Sequence, residues 1–335
     1  VLLAACGAPL ENAIARAEAG YVSMERDARQ SVIDDLKAAL NSEAEITTED
    51  RGRATAWLGA LLVRHGRWEE ARALLTDFDA TADHLIAAGD PGSAVRGLGA
   101  LGGALVSLQL DFDAGPPLQR ALAVARGHNL MTDPVVIDPL IEMAWLTYLP
   151  GVGGNEGSTR AEATTAAEAM LKQVEAIART DGGSDDPRLG AMDLIRANFL
   201  VRAPLHPGLS PESLDSLARD AAILLGVALS RLPSDHPSRI PSLVMLAELN
   251  LGVCDVESME RFSQEAVEVA KTIYGDTARG TYRVRSKYGE MVRYAGGDTR
   301  GRQMILDARK IHFEDGGTRL QDPSEWEVTS YGCIE

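Results

Sequence analysis

An aspartate followed by proline recurs along this chain, and the spacing of the pairs limits what it can fold into. Such pairs stand, among others, at Asp90-Pro91, Asp133-Pro134 and Asp186-Pro187, with Asp235-His236-Pro237 a near relative. Asp accepts hydrogen bonds from the free N–H groups of a helix start, and Pro fits the first helical position, so each pair predicts the beginning of a helix. Successive prolines stand 43, 53 and 50 residues apart. Ten or eleven residues after each comes a small residue, at Gly102, Ala144, Ala197 and Ala247. Gly59 and Gly289 extend the series at steps of 43 and 42 residues without the proline, and Ala121, Ala266 and Ala308 lie nineteen residues beyond such positions. A long internal period marks stacked supersecondary units, and small residues at two places per unit let paired helices approach closely. The spacing therefore predicts an all-α chain of six antiparallel helix hairpins over 50–313, starting near residues 50, 91, 134, 187, 237 and 278.

Two amphipathic helices are expected before the hairpins, Glu11 to Ala19 and Ser31 to Leu40, the second with Val32, Ile33, Leu36 and Leu40 on one face. Within 7–49 they would cap the array. The segment 150–160 (Pro150-Gly151-Val152-Gly153-Gly154) reads as an insertion in the third hairpin. The proline-rich segment 203–211 reads as one in the fourth, since no helix traverses it. The tail, 314–335, is polar and aperiodic.

The first hairpin runs Leu58-Gly59, Leu62, Gly66, Trp68, Ala71 and Leu75. This is similar to the tetratricopeptide repeat, with its Leu-Gly pair, turn glycine, aromatic and alanine. Tyr288-Gly289, Val292, Gly296-Gly297, Ile305 and Ala308 repeat it loosely. Steps of 42 and 43 residues exceed the usual 34 by about two helical turns. The longer unit resembles the repeats of kinesin light chains and their bacterial relatives, as do Pro233-Ser234-Asp235-His236-Pro237 and Tyr274-Gly275-Asp276. The resemblance implies an α-solenoid, a right-handed superhelix whose concave groove takes a peptide or protein.

Net charge is -16. A duplex-binding protein needs a cationic stripe, so nucleic acid is not an expected partner. No run of about 20 apolar residues is present to span a membrane. Val1-Leu2-Leu3-Ala4-Ala5-Cys6-Gly7 resembles the end of a bacterial lipoprotein signal peptide. That resemblance implies a signal remnant at 1–6, a lipid on Cys6 and, in a Gram-negative cell, the periplasmic face of the outer membrane. Without it the chain is expected in the cytoplasm. Cys254 and Cys333 would then be left as an even pair, either bridged in an oxidising compartment or present as a buried thiol and a tail residue.

Gly97-Leu98-Gly99-Ala100-Leu101-Gly102 spells a dinucleotide-binding fingerprint, but that motif must follow a strand. Here it follows a predicted helix start, so no cofactor is expected. The six histidines show neither an i, i+4 pair nor a cysteine cluster, so no metal is expected. No nucleophile motif appears, so the chain is read as a non-catalytic scaffold or adaptor of the cell envelope. The alternative is the regulatory region of a larger signalling polypeptide, or an enzyme whose site is not recognised.

In the resembled family the groove is lined by first-helix positions 2, 5, 9, 12 and 13, counting the small residue as 8. In this chain that frame selects Arg53 and Arg64, Arg96, Trp145 and Tyr148, Asn198 and Arg202, Glu248, and finally Arg283, Glu290, Arg293 and Tyr294. Arginine binds carboxylates bidentately. Either these arginines make the groove locally cationic and suited to an acidic or C-terminal peptide, or they bridge to acidic neighbours on adjacent helices.

Overall fold

The computed structural model describes residues 4–42, 46–149, 159–202, 210–276 and 278–314. Among these there are fifteen α-helices and no strand. Contacts divide the chain between Phe199 and Leu200 into two units. The fourth expected hairpin straddles this division, which the repeat spacing gave no reason to expect. The tail beyond Glu314, most of both insertions, the side chains of Cys6 and Arg202, and Cys333 lie outside the described residues.

In unit 1, α1 (Ala4–Gly20) packs on α2 (Arg26–Leu40), and both pack on α3 (Thr48–Arg64). The second helix of the next hairpin is split into α4 (Trp68–Leu75) and α5 (Phe78–Ala87). Then come α6 (Pro91–Ser107) and α7 (Asp111–Gly127). A 3-10 turn (Pro134–Val136) leads into α8 (Ile137–Tyr148), followed by α9 (Arg160–Asp181) and α10 (Pro187–Arg202). Unit 2 holds α11 (Pro211–Arg231), α12 (Arg239–Gly252), α13 (Val256–Tyr274), α14 (Arg279–Tyr294) and α15 (Asp298–Glu314).

The Asp-Pro pairs start helices for the expected reason. Asp90 Oδ1 accepts from Ser93 N–H at 3.0 Å, Asp133 Oδ1 from Val135 N–H at 2.9 Å, and Asp186 Oδ1 from Arg188 N–H at 2.8 Å. Pro237 differs. Ser238 N–H donates to His236 Nδ1 at 3.2 Å, and α12 begins only at Arg239.

The small residues sit where helices touch. A Cβ on Gly59 would fall 2.5 Å from Leu75, one on Gly102 2.3 Å from Leu118, and one on Gly289 2.8 Å from Ile305. In each pair the partner is sixteen residues downstream. Seven residues after the small position the chain turns left-handed, at Gly66 (φ 81°), Gln109 (φ 61°), Cys254 (φ 60°) and Gly296 (φ 94°). The last carbonyls of the helix are satisfied alike each time, as in Arg67 N–H to Leu62 O and Gly297 N–H to Val292 O, both 2.9 Å. This is the Schellman-type ending that glycine favours, and here it recurs with Gln and Cys as well.

The fingerprint glycines are interior residues of α6. Gly97 abuts Phe78, Gly99 abuts Pro139 and Gly102 abuts Leu118, so packing occupies all three. Phe78 stands where other hairpins carry their second small residue, and Gly97 on the next helix makes room for it. The buried side chains of unit 1 form two apolar cores, one around α1 to α3 and a larger one from α3 to α10. Unit 2 has its own, built on α12 to α14.

Candidate interaction recess

In unit 1 the first helices α3, α6 and α8 lie side by side. Gly99 receives Pro139, and Gly103 faces Val63 on one side and Glu142 on the other. Side chains along this seam meet in one cluster. Tyr21, from the turn after α1, stands edge-on to Trp57 with ring centroids 5.5 Å apart. Its hydroxyl donates to Asp138 Oδ2 at 2.6 Å, and Arg64 approaches Asp138 Oδ1 at 3.5 Å. The Arg64 guanidinium also lies 4.2 Å from the Tyr21 centroid. The Arg96 guanidinium carbon lies over Trp57, 3.5 Å from its ring centre, and 5.2 Å from the centre of Tyr21.

Desolvation is the largest influence on Tyr21, Arg64, Arg96, Asp138 and Glu142 alike. None of the five is sealed, however, and each keeps some exposed surface. Groups crowded by protein yet open to solvent line a recess. Burial pushes the Tyr21 hydroxyl up to about 12, helped by the charge of Asp138. Burial also works against the charge of Asp138, but Arg64, the Tyr21 hydroxyl and more distant Arg188 and Arg96 outweigh it and hold the carboxyl below its ordinary range. Glu142 has no such help. Burial, then Asp138 and Asp111, raise it to about 8, and no described group bonds to it. Burial lowers Arg96, opposed only at longer range by Tyr21, Asp138, Glu18 and Asp133. Among the described residues no carboxylate lies within ion-pair distance of Arg96.

The frame read from sequence brings Arg53, Arg64 and Arg96 to this unit, but not as a uniformly cationic wall. Arg53 bridges Asp90 at 3.3 Å, Asp50 at 3.9 Å and Glu18 at 4.0 Å. Arg64 is engaged by Asp138. Tyr148 is not a groove residue. It is 3 % exposed, stacks on Phe199 at 4.2 Å and donates to Phe199 O at 3.2 Å. The reason is that position 12 of α8 turns towards α10 and the core. Trp145 is half-buried beside the same core. Asn198, also half-buried, donates to Leu194 O of its own helix at 3.1 Å.

In unit 2, Glu248 pairs with Lys287 at 2.7 Å. Burial raises Glu290, with Lys287 and Arg293 acting against the rise. Arg283 is half-buried, and Arg293 and Tyr294 are exposed. Cys254 occupies the turn after α12 and is disulfide-bonded, with its partner outside the described residues.

The sequence reading missed Tyr21, Trp57, Asp138 and Glu142. Asp138 is position 2 of the third hairpin, in register with Arg53 and Arg96. Trp57 and Glu142 follow one turn later, at position 6. Reading positions 2 and 6 together across hairpins would have found three of the four. Tyr21 belongs to no repeat and carries no such signal.

No described helix is long and apolar enough to cross a membrane. No protein-family model matches this chain, and no curated protein was found to be similar to it.

Proposed function

We propose that this chain is a non-catalytic interaction module of the tetratricopeptide type, which holds a polypeptide segment in the recess along α3, α6 and α8. The observation that carries the reading is Arg96. Its guanidinium lies over the Trp57 ring, while the N–H groups that bind carboxylates bidentately have no carboxylate within ion-pair distance among the described residues. Desolvated arginines with aromatic neighbours are typical of residues that dominate binding energy.

The test pans a phage-displayed library of random dodecapeptides against the full chain at low salt. Recovered peptides should bind Arg96→Glu at least tenfold more weakly than wild type. They should bind Arg179→Glu, altered on an exposed face of α9, as well as wild type. No enrichment over a blank surface, or equal binding to Arg96→Glu, defeats the reading.

The same module is proposed to work in a bacterial envelope, anchored through Cys6. The lipobox-like start supports this, and so does the Cys254 disulfide, since such bonds persist in oxidising compartments. With a signal peptide supplied, a fatty-acid probe should label the protein and Cys6→Ala should abolish the label. Equal labelling of the mutant removes the anchor.

A further inference from the structure

The recess holds two charge-bearing groups that the described residues do not pair, and they differ in sign. Arg96 is one and Glu142 is the other. Arg96 and Gly103 are seven residues apart on α6, about 10 Å along the helix. Glu142 stands beside Gly103, its carboxyl oxygen 3.8 Å from where a Cβ there would be. Val63 at 3.7 Å and Glu142 at 3.8 Å are ordinary van der Waals contacts of that point, so buried Gly103 lets Glu142 lie close against α6.

We propose that the recess is built for a bipolar segment, one whose carboxylate seats on Arg96 and whose lysine or arginine side chain seats on Glu142. This rests on the binding reading above and names what that site selects. In an extended chain at about 3.3 Å per residue, a separation of about 10 Å is spanned in about three residues. The two partner charges therefore belong two to four residues apart. A segment of one sign satisfies only one end. An acidic peptide would also meet Asp138, whose ionised carboxyl repels like charge.

Glu142 gives the site a pH response. The charged groups acting on it are Asp138 of its own helix and Asp111 of α7, while α3 and α6 bring Val63 and Gly103 against it. Both acids, and burial, favour its protonated form, which is neutral near pH 7. A bound cation favours the ionised form, so seating it drives off a proton. The proton leaves to buffer and no other bond changes.

The test uses the Arg96-dependent dodecapeptides from panning at pH 8. They should carry Lys or Arg two to four residues from Asp or Glu. Synthetic copies should bind Glu142→Gln at least tenfold more weakly than wild type. Wild-type affinity should rise several-fold from pH 6 to pH 9 while that of Glu142→Gln stays flat. Glu142→Gln reproduces the shape of the protonated group, and circular dichroism should match wild type. Arg96→Gln, which removes the charge without reversing it, should repeat the loss seen with Arg96→Glu. Arg96-dependent peptides that lack a basic residue, or that bind Glu142→Gln as well as wild type, overturn the bipolar inference and leave the binding reading standing. The absence of any Arg96-dependent peptide overturns both.

Discussion

Lys287 of α14 and Arg96 of α6 are both sunken cations on first helices, but only Lys287 has a carboxylate against it. In unit 2, Glu248 reaches Lys287 from position 9 of the preceding hairpin, and the salt bridge closes at 2.7 Å. In unit 1, position 9 holds Ala60, Gly103, Trp145 and Asn198, none of which carries a charge to set against Arg96. One repeat frame thus yields a self-neutralised face in one unit and unpaired charge in the other. A single side chain makes the difference, a carboxylate at position 9 of the fifth hairpin where the hairpins of unit 1 have none. Breaking a partly buried pair leaves a stranded charge, so the Lys287 face is expected to be structural and the Arg96 face to serve a partner.

The largest effect should come from closing a helix contact. A Cβ on Gly289 would lie 2.9 Å from the backbone oxygen of Gly301, which cannot rotate away, whereas Gly103 has only ordinary contacts near it. Gly289→Ala should lower stability by about 3 kcal/mol, as overpacking does. Gly103→Ala should be neutral or gain about 0.5–1 kcal/mol of helix propensity. Thermal denaturation followed by circular dichroism checks both. Equal effects would mean that Gly103 is packed as tightly as Gly289.

Acid should act next, through unit 1. His65, at the end of α3, is pushed down to about 4 by burial and then by Arg26, Arg29 and Arg67. A depressed histidine contributes stability that is present above its unfolded value near 6.5 and is lost as pH falls through the folded value. The loss between pH 6.5 and 4 should be about 2 kcal/mol, within what a shift of this size allows. His65→Gln should flatten that limb, read as hydrogen exchange of α2 and α3. An unchanged acid limb would remove His65 as the cause.

Pairing itself gives a smaller contrast. Lys287→Met should cost about 1–2 kcal/mol, less than a fully buried pair because Glu248 is partly exposed. Arg96→Met loses a cation–π contact rather than a bridge, about 1 kcal/mol. If Arg96→Met proves the costlier, Arg96 is structural and the comparison between the units fails.

The smallest effect has the opposite sign. The carboxyl of Glu142 is raised from 4.5 to about 8, so its contribution is fully present below about pH 4.5 and is lost as pH rises through 8. Glu142→Gln should match wild type at pH 4.5 and exceed it by about 1 kcal/mol at pH 9, a figure discounted because the group keeps solvent contact. A wild type equally stable across that range would place Glu142 in open water.

The all-helical class was legible because its signals are local. Asp90, Asp133 and Asp186 cap the helices that follow them whatever the rest of the chain does, and Gly59, Gly102 and Gly289 are small because a helix sixteen residues on must pass. The frame also brought Arg53, Arg64 and Arg96 to one unit. It failed at Tyr148, whose position 12 turns into the core against Phe199, and it could not see Tyr21, which reaches Asp138 across 117 residues from a turn with no counterpart elsewhere.

The sequence by itself therefore determined the helices, most of their starts and the close approach within hairpins, because capping and steric fit act over one or two turns. Only the tertiary structure decided which charges found partners. Arg53 meets Asp90 and Lys287 meets Glu248, while Arg96 meets the face of an indole. Coulomb attraction and desolvation depend on distances between helices that no local signal encodes, and on those distances depends whether an arginine is a strut or a receptor.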